Sequence, residues 1–275
     1  MQLHSSIVVV VQSLAFILAT AGSAATREPN EKWVVNYANA QCVASRNYGT
    51  VERPLVLVLK PSPIGSVMQL SMLRKGGSGD GPADEASGEI RADQERPISV
   101  SILSFGSKRG ILSSRINLTA DQFAAVRRAS KITIRNAQIN ETLALSQLPQ
   151  LMKSIDACVA DLQIFWNIAP DARAKLTSRA DPHTSLVGIF SSDDYPGVAL
   201  QKQEEGAVEI VLLIDEKGGI AECVVTRTSS VAALDAQVCS IIAKRAKFSP
   251  AIGADQKPTK DSYSQRIVWK TASGG

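Results

Sequence analysis

The pattern of apolar and polar positions predicts β-strands in the first half of the chain. Continuous or alternating apolar runs indicate strands at residues 55–59, 67–73, 98–105 and 131–136. Residues 75–92 lie between two of these runs and are rich in glycine and acidic residues. We therefore expect a flexible loop there.

Apolar residues spaced three and four apart predict two helices in the same half. Thr119 and Gln122 have the spacing of a capping box, which begins a helix that we expect to end at Ala129. The second helix covers residues 148–163, and its apolar stripe includes Cys158. Strands mixed with helices in this way indicate the α+β fold class.

From Tyr195 the pattern becomes regular and predicts a helix, a hairpin, a helix and a strand. The expected elements are helices at 195–202 and 232–246 and strands at 207–214, 220–226 and 263–270. Ser229 or Ser230 is expected to cap the longer helix. This order predicts a three-stranded antiparallel sheet with two helices against one face.

These two regular parts predict two domains. We expect an N-terminal α+β domain at 31–168, a polar linker at 169–194 and the C-terminal domain at 195–270. Trp33, Arg46 and Tyr48 surround the first cysteine and look like the signature of the N-terminal domain, whose family the sequence does not identify.

The first 25 residues predict an export signal. They contain no acidic or basic side chain except histidine, and an apolar run at 7–18 is followed by small residues up to Ala25. We expect cleavage after Ala24 or Ala25 and a mature protein in the periplasm. An uncleaved anchor in the inner membrane is the alternative, because residues 7–25 are just long enough to span a bilayer.

Charge and motif spacing narrow the function classes. Lysine plus arginine number 30 against 26 aspartates plus glutamates, without a run of five basic residues, so no nucleic-acid partner is expected. The glycines at 76–81 lack the Gly-Lys-Ser/Thr of a phosphate-binding loop. The acidic residues in and after this stretch are Asp80, Asp84, Glu85 and Glu89. They lack the spacing of a calcium-binding loop, and we expect no metal or cofactor.

Four cysteines behind an export signal predict disulfide bonds. The cysteines are Cys42, Cys158, Cys223 and Cys239. They lack zinc-ligand spacing, and the mature chain has a single histidine, His183. Their number alone allows three pairings. Cys158 on its buried helical stripe could reach Cys42, and a lone buried thiol is the alternative.

Seven short motifs in the last third of the chain resemble, in order, those of the C-terminal domain of the TonB family. The motifs are Tyr195-Pro196, Gly206-Ala207-Val208, Ile214-Asp215 with Gly218, Val225 with Ser229-Ser230, Leu234-Asp235, Phe248-Ser249-Pro250-Ala251 and Ile267-Val268-Trp269. The resemblance covers residues 195–270. Val231 departs from the family pattern, which usually has glycine there.

The resemblance implies an exported TonB-like protein of the alphaproteobacterial type, whose partners are outer-membrane TonB-dependent receptors. Its last strand would bind a receptor segment by strand addition, and we expect Trp269 to pack in the core. The residues of this strand are Tyr263, Ser264, Gln265, Arg266, Ile267, Val268 and Trp269. Within the same frame Cys223 and Cys239 would form a disulfide, and we predict Cys42–Cys158 as the other.

We therefore predict a periplasmic TonB-like protein-binding module that is not an enzyme. The 12 prolines form no extended spacer of the kind that carries TonB across the periplasm. The alternatives are a membrane-anchored energy transducer, if the signal is uncleaved, and a secreted enzyme, for which His183 is the one histidine candidate. A further alternative is an envelope-structural protein whose N-terminal domain binds peptidoglycan or another periplasmic protein.

Overall fold

The computed structural model describes residues 25–271, apart from 39, 65, 77–83 and 108. Within these residues the protein is α+β, with a ten-stranded sheet in the N-terminal region and a three-stranded sheet in the C-terminal region. The predicted export signal lies outside the described residues, except for Ala25. Among the helices of this described part, none combines the length and the apolar character that crossing a membrane requires.

The ten-stranded sheet has the strand order β1-β10-β9-β6-β7-β8-β5-β4-β3-β2. Its strands are β1 (Thr26–Arg27), β2 (Val34–Ala38), β3 (Gln41–Asn47), β4 (Leu55–Pro61), β5 (Val67–Lys75), β6 (Asp84–Ala92), β7 (Ile98–Gly106), β8 (Ile111–Thr119), β9 (Lys131–Arg135) and β10 (Asn140–Ala144). Neighbouring strands are antiparallel, except β1 and β10. Alternate residues of β3, β4 and β8 are buried, so one face of this sheet forms the core.

Helices α1 (Ala120–Arg128) and α2 (Leu148–Phe165) pack on the core face of this sheet. The predicted capping box begins α1: the Gln122 N–H donates to Thr119 Oγ1 at 3.2 Å, and the Thr119 N–H donates to Gln122 Oε1 at 2.9 Å. Phe123 and Val126 then face the core. Both helices predicted for this region are confirmed.

The two ends of the ten-stranded sheet meet beside α2. The hydroxyl of Tyr48, just after β3, donates to the carbonyl of Ala144 in β10 at 2.7 Å. Arg46 and Trp33 both donate to the carbonyl of Ser146, and the Arg46 guanidinium lies 5.2 Å from the centre of the Trp33 ring. The sheet therefore curves around its helices, and the N-terminal signature residues hold its ends together.

Residues of the predicted loop 75–92 include a strand, so that expectation is wrong for β6. This strand is internal to the sheet and pairs with β7 on one side and β9 on the other. Gly88 permits the close pairing, because a Cβ atom there would lie 2.6 Å from Ile102 Cδ1 and 2.8 Å from the Arg135 carbonyl oxygen. Residues 77–83 of the predicted loop lie outside the described residues.

The C-terminal region has the predicted three-stranded antiparallel sheet, in the order β13-β12-β17. Its elements, with those that lead into it, are α3 (Pro170–Arg173), β11 (Asp181–Pro182), α4 (Gly197–Gln201), β12 (Gly206–Ile214), β13 (Ile220–Arg227), α5 (Ala232–Arg245), β14 (Phe248–Ser249), β15 (Ala251–Ile252), β16 (Pro258–Thr259) and β17 (Asp261–Trp269). Leu234 and Val238 of α5 are wholly buried against one face of this sheet.

The segment expected to link the two regions packs closely on the C-terminal sheet. Ala180 and Leu186 are buried in the same core as α5. Two short 3-10 helices, Leu186–Ile189 and Ser192–Asp194, follow. At the end of the second, Asp194 accepts hydrogen bonds from Arg245 of α5 at 2.6 and 2.8 Å.

The second face of the three-stranded sheet packs against the N-terminal region. Val211 and Leu213 project away from α5, because successive residues of a strand face opposite sides. Both are buried in a cluster with Trp166 and the Cys42–Cys158 pair. Contact between the two regions thus continues the hydrophobic core.

Candidate strand-binding edge

Strand β17 lies at one edge of the three-stranded sheet. It pairs with β12 along its whole length, from Gly206 opposite Trp269 to Ile214 opposite Asp261. Of the strands in the described ranges, none pairs with its other side. An edge strand presents unpaired N–H and C=O groups, which a partner strand can satisfy.

The candidate binding residues of β17 divide between the two faces of the strand. Tyr263, Ile267 and Trp269 pack with the core that contains α5. Trp269 is buried, as expected, and its ring makes edge contacts with Phe190 and Tyr195 at 5.7 and 5.3 Å between ring centres.

The alternate residues Ser264, Arg266 and Val268 are exposed. Gln265 is half-buried and, by alternation, lies on the same face as Tyr263, Ile267 and Trp269. A strand added at this edge would therefore contact the three exposed side chains, while the aromatic residues stay in the core. Arg266 lies opposite Glu209 of β12, and Glu209 is already paired with Arg227 at 2.9 Å.

Two side-chain contacts identify the backbone groups that point outward. Arg179 Nη2 donates to the Ser262 carbonyl at 2.7 Å, and Gln265 Nε2 donates to the Arg266 carbonyl at 2.9 Å. In an antiparallel strand, every second residue directs both backbone groups to the same side. Ser264, Arg266 and Val268 therefore direct their N–H groups outward, away from β12.

The beginning of this edge is closed by residues that precede the C-terminal sheet. Arg179 binds the buried carboxylate of Asp261 through two bonds of 2.7 and 2.9 Å, and Arg173 donates to Ser262 Oγ at 2.6 Å. Burial lowers the pKa of Arg173, and the positive charge of Arg179 lowers it further. The open stretch is therefore residues 264–268.

Two cysteine pairs lie at disulfide distance, and they are the pairs that the sequence predicts. Cys42 of β3 is bonded to Cys158 of α2, with 6.1 Å between the Cα atoms. Cys223 of β13 is bonded to Cys239 of α5, with 5.6 Å between the Cα atoms. Each bond ties a helix to its own sheet, and the second bond fixes α5 on the sheet that contains β17.

The sequence expectation that Ser229 or Ser230 caps α5 is wrong. The N-cap residue is Val231, which makes no side-chain capping bond. The carboxylate of Glu85 in β6 instead accepts from the N–H groups of Ala232 at 2.6 Å and Ala233 at 3.1 Å. Sequence reasoning missed this role because Glu85 precedes the helix by 147 residues.

Asp235 organises the loop before α5. Its carboxylate accepts from Thr228 Oγ1 at 2.5 Å, from the Ser229 N–H and hydroxyl at 2.8 Å each, and from Asn117 Nδ2 at 3.0 Å. Burial raises the pKa of Asp235, and these hydrogen bonds oppose the rise. Ser229 of the family motif therefore fixes this loop through the aspartate of the Leu-Asp motif.

The remaining candidate residues do not assemble a catalytic or metal site in the described part of the chain. His183 Nε2 lies 3.2 Å from the Ser249 hydroxyl, both are exposed, and no described carboxylate bonds this histidine. Glu85 caps α5, Glu89 lies 3.8 Å from Arg135, and Asp80 is outside the described residues. The residues with assigned positions contain no group of three potential metal ligands.

A family model described as the C-terminal domain of the Gram-negative bacterial TonB protein matches residues 192–271. This match confirms the resemblance carried by the seven motifs, and it covers β12, β13, α5 and β17. No curated protein and no solved structure gives a significant match. The matched family consists of non-enzymatic binding domains, and it associates the C-terminal region with TonB-like transport in the cell envelope.

Proposed function

We propose, on the premise that residues 192–271 form a TonB C-terminal domain, that this protein binds an extended segment of an outer-membrane TonB-dependent receptor. The receptor segment adds a fourth strand at residues 264–268 of β17. The observation that carries the proposal is the unpaired edge of β17, where Ser264, Arg266 and Val268 direct backbone groups outward and, of these groups, the Arg266 carbonyl alone has a side-chain partner among the described residues.

The two edges of the three-stranded sheet differ in a way that favours β17. The other edge strand, β13, faces the N-terminal sheet, where Glu222 forms an ion pair with Lys60 at 3.1 Å. Residues 222–225 of β13 line a cavity shared with that sheet. A partner strand would have to displace this contact at β13, whereas at β17 it meets solvent.

The proposal is tested by two substitutions at one position, in the full chain with both disulfides intact. Arg266→Pro removes an outward N–H but keeps the pairing with β12, because a proline is tolerated where the N–H of an edge strand faces solvent. Arg266→Ala removes the side chain and keeps the N–H. The wild-type protein and R266A are expected to retain receptors from outer-membrane extracts, and R266P is expected to lose them.

The expected loss reflects at least one missing backbone hydrogen bond and the contact that the proline ring obstructs. One such bond contributes about 1 kcal/mol, or about fivefold in affinity, and the obstruction adds to it. Far-UV circular dichroism and the melting temperature must match among the three proteins. Equal receptor capture by R266P and R266A would rule out strand addition at this edge.

A photo-reactive residue at Ser264 gives an independent measurement. Its side chain is exposed at the start of the open stretch, so it should cross-link to the bound segment. Mass spectrometry of the product should then identify a receptor peptide. A matched photo-reactive residue at the exposed Arg128 of α1 should give no such product.

We also propose that the chain acts in the periplasm after its signal is removed. N-terminal sequencing of the exported protein is expected to begin at Ala25 or Thr26. A start at Met1 would instead make this an anchored protein, as an energy transducer requires.

A further inference from the structure

Arg115 is a largely buried cation on the outer face of the ten-stranded sheet. It lies on β8, opposite Ser71 of β5 and Leu103 of β7. This face also carries α5, because Leu103 is buried against Ala232 and Ala233. The guanidinium therefore lies where the N-terminal and C-terminal regions meet.

The Arg115 guanidinium has no ion pair and no hydrogen bond within the described residues. Its Nε atom is fully buried and has no hydrogen-bond partner in the part of the chain that the structure describes. A specific contact is made with the ring of Phe105, whose centre is 5.1 Å from the guanidinium carbon. Burial lowers the pKa of Arg115.

Buried arginines in proteins are normally paired, because an unpaired charge loses its hydration without compensation. Lys60, on the same sheet face, follows that rule and is paired with Glu222. The two acids near Arg115 are already engaged, Glu222 with Lys60 and Asp235 with its four hydrogen-bond donors. Among the described residues no acid therefore neutralises Arg115, and its terminal nitrogens can bind an anion.

Two cavities meet at this side chain. One, of about 240 Å³, lies towards Lys60, Gln69 and Asn117. The other, of about 480 Å³, is an open cleft between the sheet and helices α4 and α5. Its apolar wall is formed by Leu103, Phe105, Val198, Ala233 and Ala236.

We propose that this cleft binds a small carboxylate, with the anionic group on Arg115 and the apolar body against Phe105 and Val198. A guanidinium matches a carboxylate through two parallel N–H···O bonds. A cleft with mainly apolar walls and one fixed polar group is the usual form of a small-molecule site. This site is separate from the β17 edge and does not depend on receptor binding.

The test is an NMR titration of the full oxidised chain with three probes. Hexanoate carries the charge and the apolar body, hexanamide is its neutral counterpart, and inorganic phosphate has the charge alone. Hexanoate is expected to shift the Arg115 Nε–H and the amides of Phe105, Val198 and Ala236 to saturation. Hexanamide and phosphate are expected to bind at least tenfold more weakly.

Arg115→Met is expected to lose the hexanoate response while keeping or raising the melting temperature, because it removes an uncompensated buried charge. Arg115→Gln is a second variant, in case Arg115→Met disturbs the packing of the cleft. It is also expected to lose hexanoate binding. Arg128→Gln, at an exposed position of α1, should bind like the wild type.

Three outcomes would overturn the proposal. The first is the absence of saturable shifts with hexanoate, and the second is unchanged hexanoate binding by both Arg115 variants. The third is binding of hexanamide as tight as that of hexanoate, which would show that the negative charge of the ligand does not contribute to affinity. Phosphate binding as tightly as hexanoate would contradict the proposed contact between the apolar body of the ligand and the cleft.

Discussion

The N-terminal and C-terminal regions each contain one disulfide bond, but the two bonds join cysteines at very different separations in the sequence. In each, one disulfide joins a helix to the sheet on which it packs. The cysteines of the N-terminal bond are 116 residues apart, and those of the C-terminal bond are 16 apart. The long bond connects a strand near the start of its sheet with the last helix of that region, whereas the short bond secures a local strand–loop–helix unit.

The largest expected effect comes from removing the long bond. With Cys42→Ala and Cys158→Ala together, the free energy of unfolding is expected to fall by about 5 kcal/mol, because the unfolded chain regains the entropy of a long open loop. Denaturant titration of the wild type and the double variant measures this loss. Both proteins must be compared with the other disulfide intact.

Removal of the short bond is expected to be less severe. With Cys223→Ala and Cys239→Ala, the same model gives a loss of about 3 kcal/mol. Non-reducing peptide mapping should first show Cys42 joined to Cys158 and Cys223 joined to Cys239. A larger loss from the short bond than from the long one would mean that loop length does not govern the difference.

A third prediction tests whether the two regions are energetically independent. Glu85→Gln keeps the size of the side chain but removes the negative charge at the start of α5, and this should cost about 1 kcal/mol. Glu89→Gln, on the same strand and half-exposed, is the control and should be nearly neutral. Equal stability of the two variants would show that β6 does not stabilise α5.

The smallest predicted effect concerns acid stability within the C-terminal region. Hydrogen bonds from Arg245 and from the Ser191 N–H lower the pKa of Asp194 from 3.8 to about 2. Because the folded-state pKa is the lower one, the carboxylate stabilises the fold above pH 3.8, and this contribution is lost as the pH falls towards 2. Asp194→Asn should flatten the stability profile in that window, and an unchanged slope would contradict the assignment.

Local patterns predicted the elements of the C-terminal sheet well. Strand β12 has a buried apolar run, α5 has an inward stripe with Leu234 and Val238, and β17 alternates clearly. The capping box of α1 was equally readable, since Thr119 and Gln122 are close in sequence. Each of these signals lies within a few residues, which is the range over which a single sequence is informative.

Long-range pairing set the limit of what the sequence could predict. Strand β6 carries few large apolar residues, and its place between β7 and β9 follows from hydrogen bonding across the sheet. The capping of α5 by Glu85 and the closing of the β17 edge by Arg179 likewise join distant segments. Neither contact leaves a spacing signal in the chain.

For the candidate site, the strand and its two faces were predicted, but the extent of the open edge was not. Alternation indicated that Ile267 and Trp269 share a face, and both are buried. The resemblance to the TonB domain indicated which strand to consider. That Ser262 is occupied by Arg173 and Arg179, which leaves only 264–268 open, required the folded chain.

The full-length pairing of β17 with β12 has a mechanical consequence. The nine residues of β17 all have partners on β12. A pull directed along an added strand would load these pairs in shear, all together, whereas a pull across the sheet would peel them apart one after another. The proposed complex would therefore resist tension best along the strand axis.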